Sequence, residues 1–218
     1  MPTHLRRELD RLKKLVLELA ALVEENLQKA VKAALDRNPD LAAEVIASDV
    51  RVDEMEVDVE EECLKILALH QPVAIDLRFI VAVLKLNSDV ERIGDLAVNI
   101  AERAEYLARH PKIELPSAIP TMFDRTQRML RDVLRALIDM NTAIARGVRE
   151  ADDEVDDLHR GMYRYVEQKL REDPEEIERL LQILTISRYL ERIADHTTNI
   201  AEDIIYMIEG EIVRHRTA

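Results

Sequence analysis

The chain has 218 residues, and its 44 Asp and Glu against 31 Lys and Arg give a formal net charge of −13. That acidic excess argues against nucleic acid or an anionic membrane surface as the main partner, because both are bound by basic surfaces. Four Gly, no Trp and one Cys, in a chain rich in Leu, Ala, Glu and Arg, predict an almost entirely helical protein with no intrachain disulfide and no thiolate metal cage.

Cys63 reads as a small buried apolar residue. The opening MPTHLRRELD carries charge where a signal peptide needs an apolar core. No apolar run approaches the roughly 18 residues of a transmembrane helix. A soluble, cytoplasmic protein without direct membrane insertion is therefore expected.

From Thr3 to about Arg37, residues such as Leu5, Leu9, Leu12, Leu15, Leu19 and Leu22 recur at three- and four-residue steps, the stripe of an amphipathic helix. Asn38-Pro39 ends it and starts the next, with Asn38 as cap and Pro39 at the first helical position, where its missing N–H costs nothing. This second helix runs to about His70. Its Asp49, Asp53, Glu56 and Glu60 form one acidic stripe.

Gln71-Pro72 stops the second helix, and a third runs from about Val73 to Arg109. Pro111, Pro116 and Pro120 then mark a connection. A fourth helix is expected to open at Thr121, with Asp124 completing an approximate capping box, and to close at Gly147. The fifth runs from near Glu150 to Asp173, and Asp173-Pro174-Glu175-Glu176 starts a sixth that stops at Gly210. Met55, Met129, Met140 and Met162 read as core fillers, and Gly94 as a site of close helix packing.

The chain repeats itself. ERIGDLAVNIAE at 91–102 returns as ERIADHTTNIAE at 191–202, and Asp49, Val52, Asp53 and Glu54 return as Asp152, Val155, Asp156 and Asp157. Duplication explains this, so the expected fold is all-α: two tandem three-helix bundles, 1–110 and 121–218, joined by a Pro-rich connection at 111–120.

At about 100° per residue, Glu91, Asp95, Asn99 and Glu102 share a sector of roughly 80°, opposite the apolar residues of the same helix. Such a row of like charges needs a counter-charge, from Arg92, Arg192 or a bound cation. Four segments share an acid, three residues and an acid: Asp49 with Asp53, Glu91 with Asp95, Asp152 with Asp156, and Glu191 with Asp195. If the second and third helices of each bundle are antiparallel, these carboxylates converge into a set suited to Mg, Ca or Mn. His159, three residues after Asp156, would widen the choice to Fe and Zn. Asn99, Glu102, Asn199 and Glu202 stand behind the proposed ligands, where they can hold a ligand carboxylate or water or bond a neighbouring helix. The bland alternative is a solvated acidic face, with His159 an exposed helix residue. No phosphate loop, nucleophile elbow or Cys/His pair is present, so no enzyme is expected.

The run from Gln71 to Glu102 and the run from Ile186 to His215 resemble the PhoU family, regulators of bacterial phosphate uptake, along essentially the whole chain. That resemblance implies multinuclear iron or other metal clusters on the four acid pairs, and a homodimer. It also implies negative regulation of the phosphate-starvation response, by communication between the phosphate ABC transporter, through its ATP-binding subunit, and a sensor histidine kinase. Two rival readings are a di-metal carboxylate oxidase and a plain helical interaction module.

Overall fold

In the computed structural model, which describes residues 3–210, six long helices account for nearly every residue. They are α1 Thr3–Asp36, α2 Pro39–His70, α3 Ala74–Arg109, α4 Ala118–Asp139, α5 Thr142–Glu172 and α6 Ile177–Glu209, with one 3-10 turn, Pro174–Glu176, before α6. No strand occurs among the described residues. The chain ends at 1 and 218 and the tail from 211 to His215, all included in the expected halves or motif, lie outside them.

The caps follow from side-chain chemistry. Asn38 Oδ1 accepts from the N–H groups of Asp40 and Leu41 at 3.0 and 3.1 Å, satisfying donors that the first turn of α2 leaves orphaned. Asp173 Oδ1 does the same for Glu175 at 3.0 Å.

The junction of α4 and α5 differs from expectation. Helix α4 opens at Ala118 rather than Thr121, because Pro120 sits within the first turn, where a missing N–H breaks no bond. It ends at Asp139, not Gly147. Met140 takes the left-handed conformation at φ 51° and Asn141 caps α5 through Ala143 and Ile144. Gly147 is thus a residue of α5, which begins at Thr142 rather than near Glu150. Met140 is exposed rather than a core filler, whereas Met129 and Met162 are buried.

Helices α1, α2 and α3 pack on one another, as do α4, α5 and α6. Leu12, Leu19 and Leu27 of α1 are completely buried, each contributing about 1.5–3 kcal/mol relative to exposure. Gly94 on α3 lets α2 close in: a Cβ there would lie 3.1 Å from Val52 Cγ1 and 3.5 Å from Val23 Cγ2. Cys63 is buried as expected, and burial pushes its thiol up to about 12.

The two bundles share one continuous core, because α3 and α6 pack on each other. Along that contact Arg78 Nε donates to the Met207 carbonyl at 3.0 Å, Lys85 pairs with Asp203 at 3.3 Å, His196 bonds Asp89 at 2.8 Å and the Tyr106 hydroxyl donates to Glu178 at 3.0 Å. Partner numbers fall as α3 numbers rise, so the helices are antiparallel. Since α3 and α6 are repeat equivalents, this contact relates the halves by an approximate twofold axis.

Candidate metal centres in two acidic grooves

Within each bundle the second and third helices are joined by a short connection and run antiparallel, which sets their acidic stripes face to face. In the first half Asn87 Nδ2 on α3 donates to Glu56 Oε1 at 3.0 Å and to the Glu56 carbonyl at 2.9 Å. One turn along, Asp53 lies close enough to Glu91 to help raise the Glu91 carboxyl, and Asp95 close enough to Asp49 to help raise that of Asp49. The second half repeats this ladder. His159 faces Ser187, Asp156 faces Glu191, and Asp152 faces Asp195. The structure therefore brings together the four expected acid pairs as two sets, one per bundle.

The acids are not simply turned outward, as the apolar-back, acidic-front pattern suggested. Asp49, Glu91, Asp95, Asp152, Asp156 and Glu191 are half-buried in the groove between the helices, whereas Asp53 and Asp195 are exposed at its edge. Burial is the largest cause pushing Asp49, Glu91, Glu191 and Asp195 above the ordinary carboxylate range, and neighbouring carboxylates add to it. Asp152 is pushed furthest, to about 7, by burial and then by Asp195, Asp156, Asp153 and Glu191. Arg92 relieves the first groove, pairing with Asp95 at 2.8 Å and Glu91 at 3.5 Å. In the second, Arg192 draws down Glu191 and Asp195, and Arg160 pairs with Asp156 at 3.8 Å.

His159 is not an exposed helix residue. It is half-buried, with Tyr163 edge-on at 5.2 Å between ring centroids. The Ser187 hydroxyl donates to the Leu184 carbonyl at 2.8 Å, so its oxygen accepts from His159 Nδ1–H at 3.0 Å. This assignment of the proton leaves Nε2 with a free lone pair. Burial holds the imidazole below its usual pKa, with Asp156 opposing and Arg188 assisting, so the ring is neutral at pH 7.

The four residues expected behind the ligands are engaged elsewhere. Asn99 Nδ2 donates to its own helix at the Asp95 carbonyl, 2.8 Å away. Glu102 pairs with Arg103 at 3.0 Å, and Glu202 with Arg149 at 3.3 Å. Asn199 reaches Asp89 across the α3–α6 contact at 3.5 Å. Sequence reading missed the pair Asn87 and Ser187; their signal was a polar residue four positions before each Glu of the motif, about 40° from that Glu and so at the edge of the acidic stripe.

Whether these residues fit a metal ion can be tested on two grounds. Asp49 Oδ1 and its repeat counterpart Asp152 Oδ1 are buried and lack a hydrogen-bond partner, at a cost of about 1–3 kcal/mol for a group so left. That is the donor chemistry of a hard cation site, placed identically in both halves. Among the described residues, however, no three such side chains stand close enough together to hold one ion as they are arranged. The grooves are thus suitable donor sets without closed coordination shells.

A duplicated helical protein with an acidic groove between the second and third helices of each repeat belongs to the class of tandem three-helix-bundle proteins. Comparison specifies it. The PhoU domain model matches residues 16–104 and again 119–204. The phosphate-specific transport system accessory protein PhoU homolog of Aquifex aeolicus is 42% identical over 210 residues, covering 96% of this chain and 95% of that protein. The crystal structure of PhoU from Pseudomonas aeruginosa superposes with a TM-score of 0.89 at 35% identity, covering 94% of this chain and 99% of that one. The phosphate transport system regulatory protein PhoU from Streptococcus pneumoniae gives the same TM-score at 30% identity, covering 96% and 99%. The chain belongs to the PhoU family.

Proposed function

We propose that this protein is a non-enzymatic, metal-binding regulator of phosphate uptake in the cytoplasm. It acts as an accessory protein of a phosphate transport system and holds the phosphate-starvation response off by linking the transporter's ATP-binding subunit to a sensor histidine kinase. The transport assignment is supported by relatives named as phosphate transport accessory and regulatory proteins. The homodimer, the kinase link and negative regulation rest on the family resemblance alone.

The observation that carries the metal assignment is the matched pair of buried, unpartnered oxygens at Asp49 and Asp152. Asp49, Asp53, Glu91 and Asp95, with Glu56 nearby, would hold an ion in the first groove. Asp152, Asp156, Glu191 and Asp195 would do so in the second, with His159 offering Nε2. A bound cation supplies the positive charge lacking around carboxylates that burial, and then one another, push upward. Oxygen donors suit Mg or Mn, and the imidazole adds affinity for Fe or Zn. The di-metal oxidase reading fares worse, because each groove lies between two helices of a three-helix bundle and carries no Glu-x-x-His pair.

Two experiments test the proposal separately. Deleting the gene should raise starvation-gene expression in phosphate-rich medium, and unchanged expression would refute the regulatory assignment. Protein purified without chelator should contain metal, and Asp49→Asn with Asp152→Asn should lose most of it. Metal-free wild-type protein that also takes up no Mn, Fe or Zn on dialysis would leave the grooves as acidic surface only.

A further inference from the structure

The repeat supplies an internal control for every surface of the molecule, and one surface fails it. On the outer side of α5, away from α4 and α6, Asp153, Arg160 and Glu167 recur at seven-residue steps, all exposed. Their counterparts on α2 are Val50, Val57 and Leu64, at 65%, 48% and 53% exposure. The same fold thus carries charge at these positions in one half and apolar side chains in the other, so the fold does not require them. Ala43 and Ala68 extend the stripe where α5 has Arg146 and Arg171.

At about 100° per residue, Val50, Val57 and Leu64 fall within roughly 40° of one another, the narrow seam that a second helix packs against. Acids border it on both sides: Asp53 and Glu60 along one edge, Glu54 and Glu61 along the other. Two shallow hollows interrupt the seam, one lined by Val50, Asp53, Glu54 and Val57, the next by Glu61 and Leu64 with the cations Arg11 and Lys65, both of which pair with Glu62 at 3.8 and 3.1 Å, and Asp58 lines both.

We propose that the outer face of α2 is a docking seam for a basic amphipathic helix of another protein. Its apolar stripe would lie along Val50, Val57 and Leu64, with Lys or Arg on both flanks meeting the acidic edges. Charge chooses this occupant. A second copy of the same face would set acid edge against acid edge, which is repulsive, and an anionic membrane would meet the same repulsion. Asp53, on one edge of the seam, is also a proposed metal donor, so the variants below spare it and change only the apolar residues between the edges.

The test uses the full chain and three synthetic helical peptides of four heptads. One has a Leu seam with Lys flanks, one the same seam with Glu flanks, and one an Ala seam with Lys flanks. The first should bind at least ten-fold more tightly than either control at physiological salt, and weaken as salt rises. The triple variant Val50→Asp, Val57→Arg, Leu64→Glu carries the side chains α5 bears at these positions, so it should keep the helical content and melting behaviour of the parent. It should lose at least ten-fold in affinity for the first peptide. Equal binding of the Glu-flanked peptide, or undiminished binding by the triple variant, would overturn the proposal. So would a dimer of the parent that the triple variant dissociates in sedimentation equilibrium, because the seam would then belong to a second copy.

Discussion

Asp152→Asn should stabilise the metal-free protein, and the gain should depend on pH. In the fold Asp152 titrates near 7 rather than at its ordinary 3.8, because it is partly buried and faces Asp195, Asp156 and Glu191. A carboxyl whose folded pKa lies above its unfolded one keeps its proton in the native state while the unfolded chain has lost it. Stability therefore falls as pH rises from about 4 to about 7 and stays low beyond. At 1.36 kcal/mol per pH unit the ceiling is about 4 kcal/mol, but Asp152 is only half-buried and solvent screening cuts that to about 1–2 kcal/mol. Asparagine keeps the shape and removes the charge. At pH 8 in chelator the variant should melt about 2–8 °C above the parent, at 2–4 °C per kcal/mol for a chain of this size. At pH 4 and below, where the unfolded chain also holds much of the proton, the two should nearly coincide, and by pH 5 about a third of the gap should have opened. Thermal unfolding followed by circular dichroism across pH 4–9 reads both arms. A variant whose profile runs parallel to the parent's, or which melts lower at pH 8, would show that Asp152 ionises in the groove without cost.

Chelation should leave helical content and a single cooperative transition intact, since the core is apolar and continuous; an unfolded chain in chelator would place the metal within the fold's own stability. His159→Ala should remove any preference of the second groove for Zn over Mn, measured by calorimetry. Ser187→Ala, which frees the Nδ1 proton, should weaken Zn about ten-fold, and Zn affinities unchanged in both variants would exclude the imidazole. Gly94→Ala gains about 1 kcal/mol of helix propensity but sets a methyl 3.1 Å from Val52 Cγ1, at an overpacking cost of about 1–3 kcal/mol. The net should be a loss of up to 2 kcal/mol, read from the urea midpoint, that vanishes in a Val52→Ala background; a more stable Gly94→Ala would contradict the close approach.

The helices were legible because each carries an unbroken apolar stripe, and α2 and α6 announce their starts with Asn38-Pro39 and Asp173-Pro174. The α4–α5 junction was not, because the turn is made by Met140, whose side chain has no preference for a positive φ. The structure spends Gly147, the residue sequence reading trusts as a stop, inside α5. In the grooves, spacing located the acids and antiparallel pairing their partners. Their burial was legible only in part: a helical wheel puts Asp49 within about 60° of Val45 and Val52, beside the buried face of α2, yet cannot show that its Oδ1 is left without a hydrogen-bond partner. Nor did spacing reveal that His196 on α6 is partnered by Asp89 across the α3–α6 contact.

What duplication kept and what it released separates the roles of the residues. Retained in both halves are the apolar backs of the helices and the facing acids, with an unpartnered oxygen at Asp49 and at Asp152. The groove is retained although it destabilises the fold through repulsion and desolvation, and core packing does not explain that. Released are the outer faces of α2 and α5 and one rung of each ladder, Glu56 with Asn87 against His159 with Ser187. At that rung the two grooves offer different donors, an oxygen that Asn87 already occupies and a nitrogen whose lone pair is free. On the outer faces one half offers an apolar seam edged with acid and the other only charge. The approximate twofold axis at α3 and α6 therefore relates two frameworks that are alike and two surfaces that are not. A partner that docks along α2 has no equivalent seat on α5.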